Sequence, residues 1–215
     1  IAAFALGAGL FEFFSLTKKL ELKADAAVGY IGAAVLFFAF VVDAPAKAPD
    51  LLILAVALFA VLLLITQAFR FTKDFSKMLT GVGVTLLGVM YVAFLGGFLV
   101  AIRVGFETLA GLSTDLLAYF FLIILGSDAG AYFAGRAFGK HKLAPSISPG
   151  KTVEGLIGGL VAAAGFAALS TWWFFPELPY QWSMPLAMVL AAVGVLGDLT
   201  ESAIKRGAGA KDAAS

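Results

Sequence analysis

The stretch LLILAVALFAVLLLITQAF, residues 51–69, contains no charged side chain. As a helix rising 1.5 Å per residue, a run of this length crosses the roughly 30 Å hydrocarbon core of a bilayer. Six further apolar runs surround it, separated by polar loops: 1–16, 27–42, 79–102, 114–133, 153–175 and 184–204. The pattern predicts an all-α fold, a polytopic transmembrane helical bundle of about seven membrane helices.

The composition supports this class of protein. The 215 residues are 61% hydrophobic and 13% charged, whereas a soluble domain is about 25% charged. The chain has no cysteine, which excludes disulfides, thiolate catalysis and Cys-ligated zinc. The single histidine, His141, excludes a multi-His site, so carboxylates must hold any metal, which favours Mg²⁺. The net charge of +1 gives no reason to expect nucleic acid as a partner.

We expect one integral membrane domain over 1–215, with hydrophobic helices in 1–113 and the helices and loops that carry the polar motifs in 114–215. All but two of the 15 Lys and Arg lie on alternate loops, the exceptions being Lys47 and Arg103. The positive-inside rule makes these basic loops cytoplasmic. They are 17–25, 70–78, 134–151 and 205–215.

The first polar motif is GDLTESAIKR, residues 197–206. Four of its side chains recur at i, i+3, i+4 and i+7 and so share one helix face: Asp198, Glu201, Ser202 and Lys205. We predict a metal and phosphate receptor, in which Asp198 binds the cation while Lys205 and Arg206 hold phosphate oxygens. The alternative is a ladder of intrahelical ion pairs that closes a helix end.

The second polar motif begins at Ser127. Asp128, Tyr132 and Arg136 lie at i, i+4 and i+8 and therefore share a helix face. Small residues form a stripe on which another helix can pack: Ala131, Gly135 and Gly139. Gly155 and Gly159 form a GxxxG pair, which we also assign to helix packing.

The segment 148–154 completes this motif. Ser148 before Pro149 predicts an N-cap with proline in the first helical position. A helix that begins there presents free N–H groups beside Lys151 and Thr152, an anion site suited to a nucleotide triphosphate. The alternative is a capped helix with a snorkelling lysine. Gly150-Lys151-Thr152 is not a P-loop, because Pro145 stands where that motif requires glycine.

These motifs resemble the phosphatidate cytidylyltransferase (CDP-diacylglycerol synthase) family. The family's C-terminal signature begins Ser-x-x-Lys-Arg-x-x-x-x-Lys-Asp, and Ser202, Lys205, Arg206, Lys211 and Asp212 match it at every fixed position. DAGAYFAGR at 128–136 and SPGKTVEG at 148–155 are similar to two other conserved blocks. The specific resemblance covers residues 120–212.

The resemblance implies the reaction CTP + phosphatidate → CDP-diacylglycerol + pyrophosphate, with phosphatidic acid and membrane lipid as partners. It implies Mg²⁺ at Asp198 and Asp128, with a second cation left open. Asp128, Asp198, Lys205 and Arg206 are the expected catalytic residues. Substrate binding is expected from Ser148, Lys151, Thr152, Glu154, Ser202 and Lys211, with Glu154 ordering its loop.

The family signature continues past the position of Ser215 to a further Asp-Arg-x-Asp, which in the family supplies a second metal-binding aspartate to pair with Asp198. We therefore expect residues after Ser215. Because the sequence starts at Ile1, inside an apolar run, we also expect residues before it. The expected location is a bacterial inner membrane, with the site on its cytoplasmic face. A homodimer is left open, because small-residue stripes also pack helices within one chain.

Two other functions are compatible with the same membrane fold. One is a related CTP-dependent lipid enzyme, a CDP-archaeol synthase or a polyprenol or phytol kinase. The other is a transporter in which intramembrane acids relay ions. The transporter is disfavoured because the polar groups cluster at one membrane face rather than at the midplane.

Overall fold

Every predicted apolar run forms a helix in the computed structural model, which describes residues 1–42, 50–106 and 111–208. A π-helical segment, Val89–Phe94, joins the helices Phe75–Gly88 and Leu95–Gly105 into one span of 31 residues. The described residues therefore form seven helical rods, which confirms the predicted count. The helices are α1 (Ala2–Lys19), α2 (Ala26–Val42), α3 (Asp50–Arg70), α4 (Phe75–Gly88), α5 (Leu95–Gly105), α6 (Leu112–Phe138), α7 (Val153–Trp173) and α8 (Tyr180–Gly207).

Most of the helical rods are long and apolar enough to span a membrane. Five spans of the described chain meet both criteria: Asp50–Arg70, Phe75–Gly105, Leu112–Phe138, Val153–Trp173 and Tyr180–Gly207. Large apolar side chains point outward along them, for example Leu125, 67% exposed, and Val161, 67% exposed. Helices satisfy their backbone hydrogen bonds internally, so such faces can be solvated by lipid. The chain is an integral membrane protein.

The chain divides into two units, of which the first is Ile1–Ser113. Its core is aromatic and aliphatic, and Phe40 and Phe59 are at most 2% exposed. A partly buried polar cluster joins three of its helices. The Asp25 carboxylate at the start of α2 accepts hydrogen bonds from Gln67 Nε2 at 3.0 Å and from Arg70 at 3.3 Å. The Asp25 N–H donates to Thr85 Oγ1 at 2.8 Å.

The second unit begins at Thr114, and its helices α6 and α7 pack closely through small residues. A Cβ added at Gly155 would lie 3.0 Å from the carbonyl oxygen of Ala131, and one at Gly159 would lie 3.0 Å from that of Ser127. Side chains at these positions would push the helices apart. The predicted packing role of both stripes is confirmed, and the two stripes face each other within one chain.

A hydrogen-bonded group at one end of this unit ties α6, α7 and α8 together. Tyr119 donates to the carbonyl of Ser183 at 2.5 Å, and Thr171 bonds the Ser183 hydroxyl at 3.0 Å. Exposed aromatic side chains, such as Trp172 and Trp182, lie at the same end. Aromatic rings of this kind mark a membrane interface.

A β-hairpin connects α6 to α7 at the opposite end. Strands β1 (Lys142–Ala144) and β2 (Ser148–Thr152) pair antiparallel, with Lys142 opposite Thr152 and Ala144 opposite Ser148. We call this segment, Lys142–Thr152, the hairpin. It is the only strand pairing in the described residues and a small addition to the predicted all-α fold.

The prediction that a helix begins at Ser148 is wrong. Ser148 and Pro149 lie in β2, and α7 begins at Val153 with Thr152 as its N-cap. The pairing with β1 supplies partners for this backbone, and proline is tolerated in a two-stranded hairpin because each strand is an edge. The Ser-Pro signal therefore marks the entry to a strand.

Candidate functional site

The hairpin, α6, α7 and α8 line an open cavity of about 580 Å³. Its polar wall carries four charged side chains: Asp128, Arg136, Lys151 and Asp198. Its remaining lining is mostly apolar or small, and includes Ile124, Leu143, Leu156 and Val195. A pocket of this size with a few convergent charges is typical of a small-molecule site.

Helix α6 contributes the first charged row. Asp128, Tyr132 and Arg136 all line the cavity, as their spacing indicates. The Tyr132 hydroxyl accepts a hydrogen bond from Arg136 at 3.0 Å. Arg136 was not among the candidate site residues, although its i+8 spacing from Asp128 was a signal that could have identified it.

The hairpin brings Lys151 to α8. The Lys151 ammonium forms an ion pair with the Asp198 carboxylate. Lys151 is largely covered, with 24% of its side chain exposed, whereas 56% of Asp198 is exposed. The sequence separated the segment 148–154 from the motif 197–206, and the tertiary structure joins them at this pair.

Two of the first N–H groups of α7, which the sequence predicts to be free for an anion, are bonded within the protein. The Val153 N–H donates to the His141 carbonyl at 2.9 Å, and the Gly155 N–H donates to Thr152 Oγ1 at 3.1 Å. Both donors are thus already used inside the protein. Lys151 supplies the positive charge next to this helix end, so an anion would be held by a side chain and not by the helix terminus alone.

Glu154 fastens the first residues of the loop to α7. Its carboxylate accepts hydrogen bonds from the backbone N–H of Lys140 at 3.1 Å and of His141 at 3.2 Å. The His141 ring nitrogen Nδ1 lies 2.6 Å from the same carboxylate. Glu154 therefore orders this loop and does not line the cavity within the described residues.

The later residues of the α8 motif, from Glu201 to Arg206, make contacts outside the cavity lining, whereas Asp198 lines the cavity. Lys205 pairs with Glu201 one turn earlier, at 2.5 Å, which is one rung of the ion-pair ladder that the sequence left open. Arg206 donates from Nε to the Ile147 carbonyl at 2.8 Å. Of the predicted site residues that the structure describes, five do not line the cavity: Ser148, Glu154, Ser202, Lys205 and Arg206. Lys211 lies outside the described residues.

The charged wall can be compared with what a magnesium ion requires. Two carboxylates, Asp128 and Asp198, line the cavity, and no group of three or more His, Asp or Glu side chains suited to a metal occurs among the described residues. Mg²⁺ keeps several waters and is commonly held by one or two carboxylates plus substrate phosphates. The two aspartates are donors of the type that such an ion takes when a phosphate substrate completes its shell.

Comparisons with known proteins agree with one another. A family model described as the cytidylyltransferase family matches residues 1–215. The phosphatidate cytidylyltransferase of Bacillus subtilis is 33% identical over 206 residues, which is 95% of this chain and 74% of that protein. The enzyme of the same name from Haemophilus influenzae is 46% identical over 101 residues, 45% of this chain and 35% of its own length. That of Staphylococcus haemolyticus is 42% identical over 96 residues, 45% of this chain and 37% of its own length.

Proposed function

The chain belongs to the cytidylyltransferase family, and from that premise we propose that it transfers the cytidylyl group of CTP to phosphatidate. The products are CDP-diacylglycerol and pyrophosphate. One observation carries the proposal: a single cavity in the membrane unit combines two carboxylates and two cations with an apolar wall. A polyanionic nucleotide and a lipid phosphate can both be accommodated there.

In this reaction the main contribution of the protein is to position charged groups. A phosphatidate oxygen attacks the α-phosphorus of CTP, a new P–O bond forms, and the bond to the β-phosphate breaks to release pyrophosphate. Both substrates are anions that repel each other. Placing them in line and neutralising the transition state supplies most of the rate in phosphoryl transfer.

Lys151 and Asp198 have the central roles in this scheme. In the structure they neutralise each other. When CTP binds, Lys151 would exchange the carboxylate for a phosphate oxygen, and Asp198 would become available for a cation. Asp198 and Asp128 would hold Mg²⁺, which when bound would offset phosphate charge. Arg136, in the same wall, would contact a second phosphate.

The orientation belongs to the proposal as well. We place the mouth of the cavity on the cytoplasmic face of a bacterial inner membrane. The basic residues around the hairpin support this side under the positive-inside rule, and the relatives compared above are bacterial. The small-residue stripes of α6 and α7 are occupied by each other, so a homodimer would have to use another surface.

The reaction is tested by following labelled CTP in membranes that contain the full-length protein. Label at the α-phosphate should enter the chloroform-soluble lipid when phosphatidate and Mg²⁺ are present, and label at the γ-phosphate should not. Entry of γ-label would instead identify a lipid kinase. Preference for an archaeal dialkylglycerol phosphate over phosphatidate would change the acceptor but retain the nucleotide chemistry.

A further inference from the structure

The tip of the hairpin is attached to α8 by one hydrogen bond. Ile147 lies in the turn between the two strands, where its N–H donates to Ala144 at 3.2 Å. Its carbonyl points to α8 and accepts the Nε–H of Arg206 at 2.8 Å. A charged donor on a carbonyl makes one of the stronger hydrogen bonds in proteins.

With this bond, the hairpin is held both at its base and at its turn. Glu154 holds the residues that precede β1, through the backbone of Lys140 and His141. Arg206 holds the turn at the far end. Between them, Lys151 and Thr152 line the cavity. A strand fixed at both ends presents its side chains in one arrangement, which lowers the ordering cost of ligand binding.

The position of Arg206 argues against direct phosphate contact. The residue does not line the cavity within the described chain, and its Nε–H, one of the donors arginine uses to grip a phosphate, is already given to Ile147. We infer that Arg206 is a positioning residue: it docks the hairpin on α8 so that Lys151 and Thr152 face the cavity. This inference rests on the proposed function for what those two residues bind.

Three substitutions separate the hydrogen bond from the charge. Arg206→Gln places an amide nitrogen the same number of bonds from Cα as Nε, and removes the charge. Arg206→Lys keeps the charge but places a methylene at that point, with the ammonium one atom further out. Arg206→Met removes both the donor and the charge.

The decisive measurement is hydrogen exchange of the hairpin amides in the full-length protein, in lipid nanodiscs and without CTP. We expect Arg206→Met and Arg206→Lys to speed exchange across the hairpin by about tenfold, since one charged hydrogen bond is lost. Arg206→Gln should remain close to the wild-type rate. Lys140→Gln serves as the control and should leave exchange unchanged. It removes a cation next to the hairpin but keeps the backbone N–H of residue 140, which is the group that bonds Glu154.

Steady-state kinetics of the same variants provide a second test. A loosened hairpin should raise the KM for CTP about tenfold in Arg206→Lys, with a smaller change in kcat and none in the KM for phosphatidate. The opposite ranking, with Arg206→Lys near wild type and Arg206→Gln impaired, would show that the charge acts on phosphate and would overturn the inference. Unchanged hairpin exchange in all three variants would also overturn it. Because exchange is measured without nucleotide, failure of the cytidylyl transfer assay would contradict the proposed reaction alone.

Discussion

At the scale of single residues, the cavity is organised around one ion pair. Lys151 comes from the hairpin and Asp198 from α8, and each is the other's partner in the structure. An ion pair that is partly shielded from water interacts more strongly than one on the surface. The pair therefore places a cation, Lys151, and an anion, Asp198, where the proposed reaction needs a phosphate ligand and a metal ligand.

Replacement of Lys151 by Met should weaken CTP binding more than lipid binding. The variant loses the ammonium that would contact the triphosphate, so we expect the KM for CTP to rise at least about tenfold. Steady-state assays in mixed micelles, with each substrate varied in turn, measure the effect. A larger rise in the KM for phosphatidate would reassign Lys151 to the lipid.

Replacement of Asp198 by Asn should abolish Mg²⁺-dependent transfer while the protein still accumulates in the membrane. The amide keeps the shape but cannot carry the charge that a cation requires, and we expect kcat/KM to fall by about 10² or more. Glu201→Gln is the matched control on the same helix, because Glu201 pairs with Lys205 outside the cavity lining. Near-normal turnover in Asp198→Asn would remove the central assignment.

At the scale of secondary-structure elements, the hairpin and the end of α7 are coupled through Thr152. This residue ends β2 and caps α7, and it is 8% exposed. The end of the strand is therefore also the start of the helix. Because Lys151 is the residue before Thr152, its position depends on this cap.

Thr152→Val should destabilise the protein, and Thr152→Ser should not. Valine has the shape of threonine without the hydroxyl, so the Gly155 N–H loses its partner at a cost of about 1–2 kcal/mol. Serine keeps the acceptor. Thermal unfolding in detergent compares the two. Equal midpoints for both variants would show that the cap contributes little.

The packing of α6 against α7 gives a second test at this scale. A Cβ at Gly158 would collide with Ala134 and would lie 3.1 Å from the carbonyl oxygen of Gly130, whereas nothing lies within 4 Å of one at Gly165 on the same helix. We expect Gly158→Ala to destabilise by about 1–3 kcal/mol, as overpacking does. Gly165→Ala should be neutral or stabilising by up to about 1 kcal/mol. Similar unfolding midpoints for the two variants would contradict the close approach.

At the scale of the whole molecule, the second unit has a basic end and an aromatic end. The hairpin lies at the first, and the connection between α7 and α8 lies at the second, beside Trp172 and Trp182. A helical unit with this asymmetry should cross the membrane in one orientation.

Cysteine labelling tests that orientation, because the chain contains no cysteine. Ser146→Cys in the hairpin turn and Glu177→Cys after α7 place thiols at exposed positions at the two ends. In intact cells a membrane-impermeant maleimide should label Cys at 177 and spare Cys at 146, and inverted vesicles should reverse the result. The converse pattern would place the cavity on the outer face.

The sequence by itself determined the class of protein and its seven helices, because predominantly apolar runs of membrane length leave a helix as the only way to satisfy the backbone in lipid. It also identified Asp128, Lys151, Thr152 and Asp198 as candidates, since spacing on a helix and motif similarity are local properties. Only the tertiary structure decided that 148–152 is a strand, that Lys151 meets Asp198, and that Arg206 holds the turn at Ile147. The last two contacts join residues 47 and 59 positions apart. Pairing over such distances is fixed by how the helices pack, and no local sequence pattern contains that information.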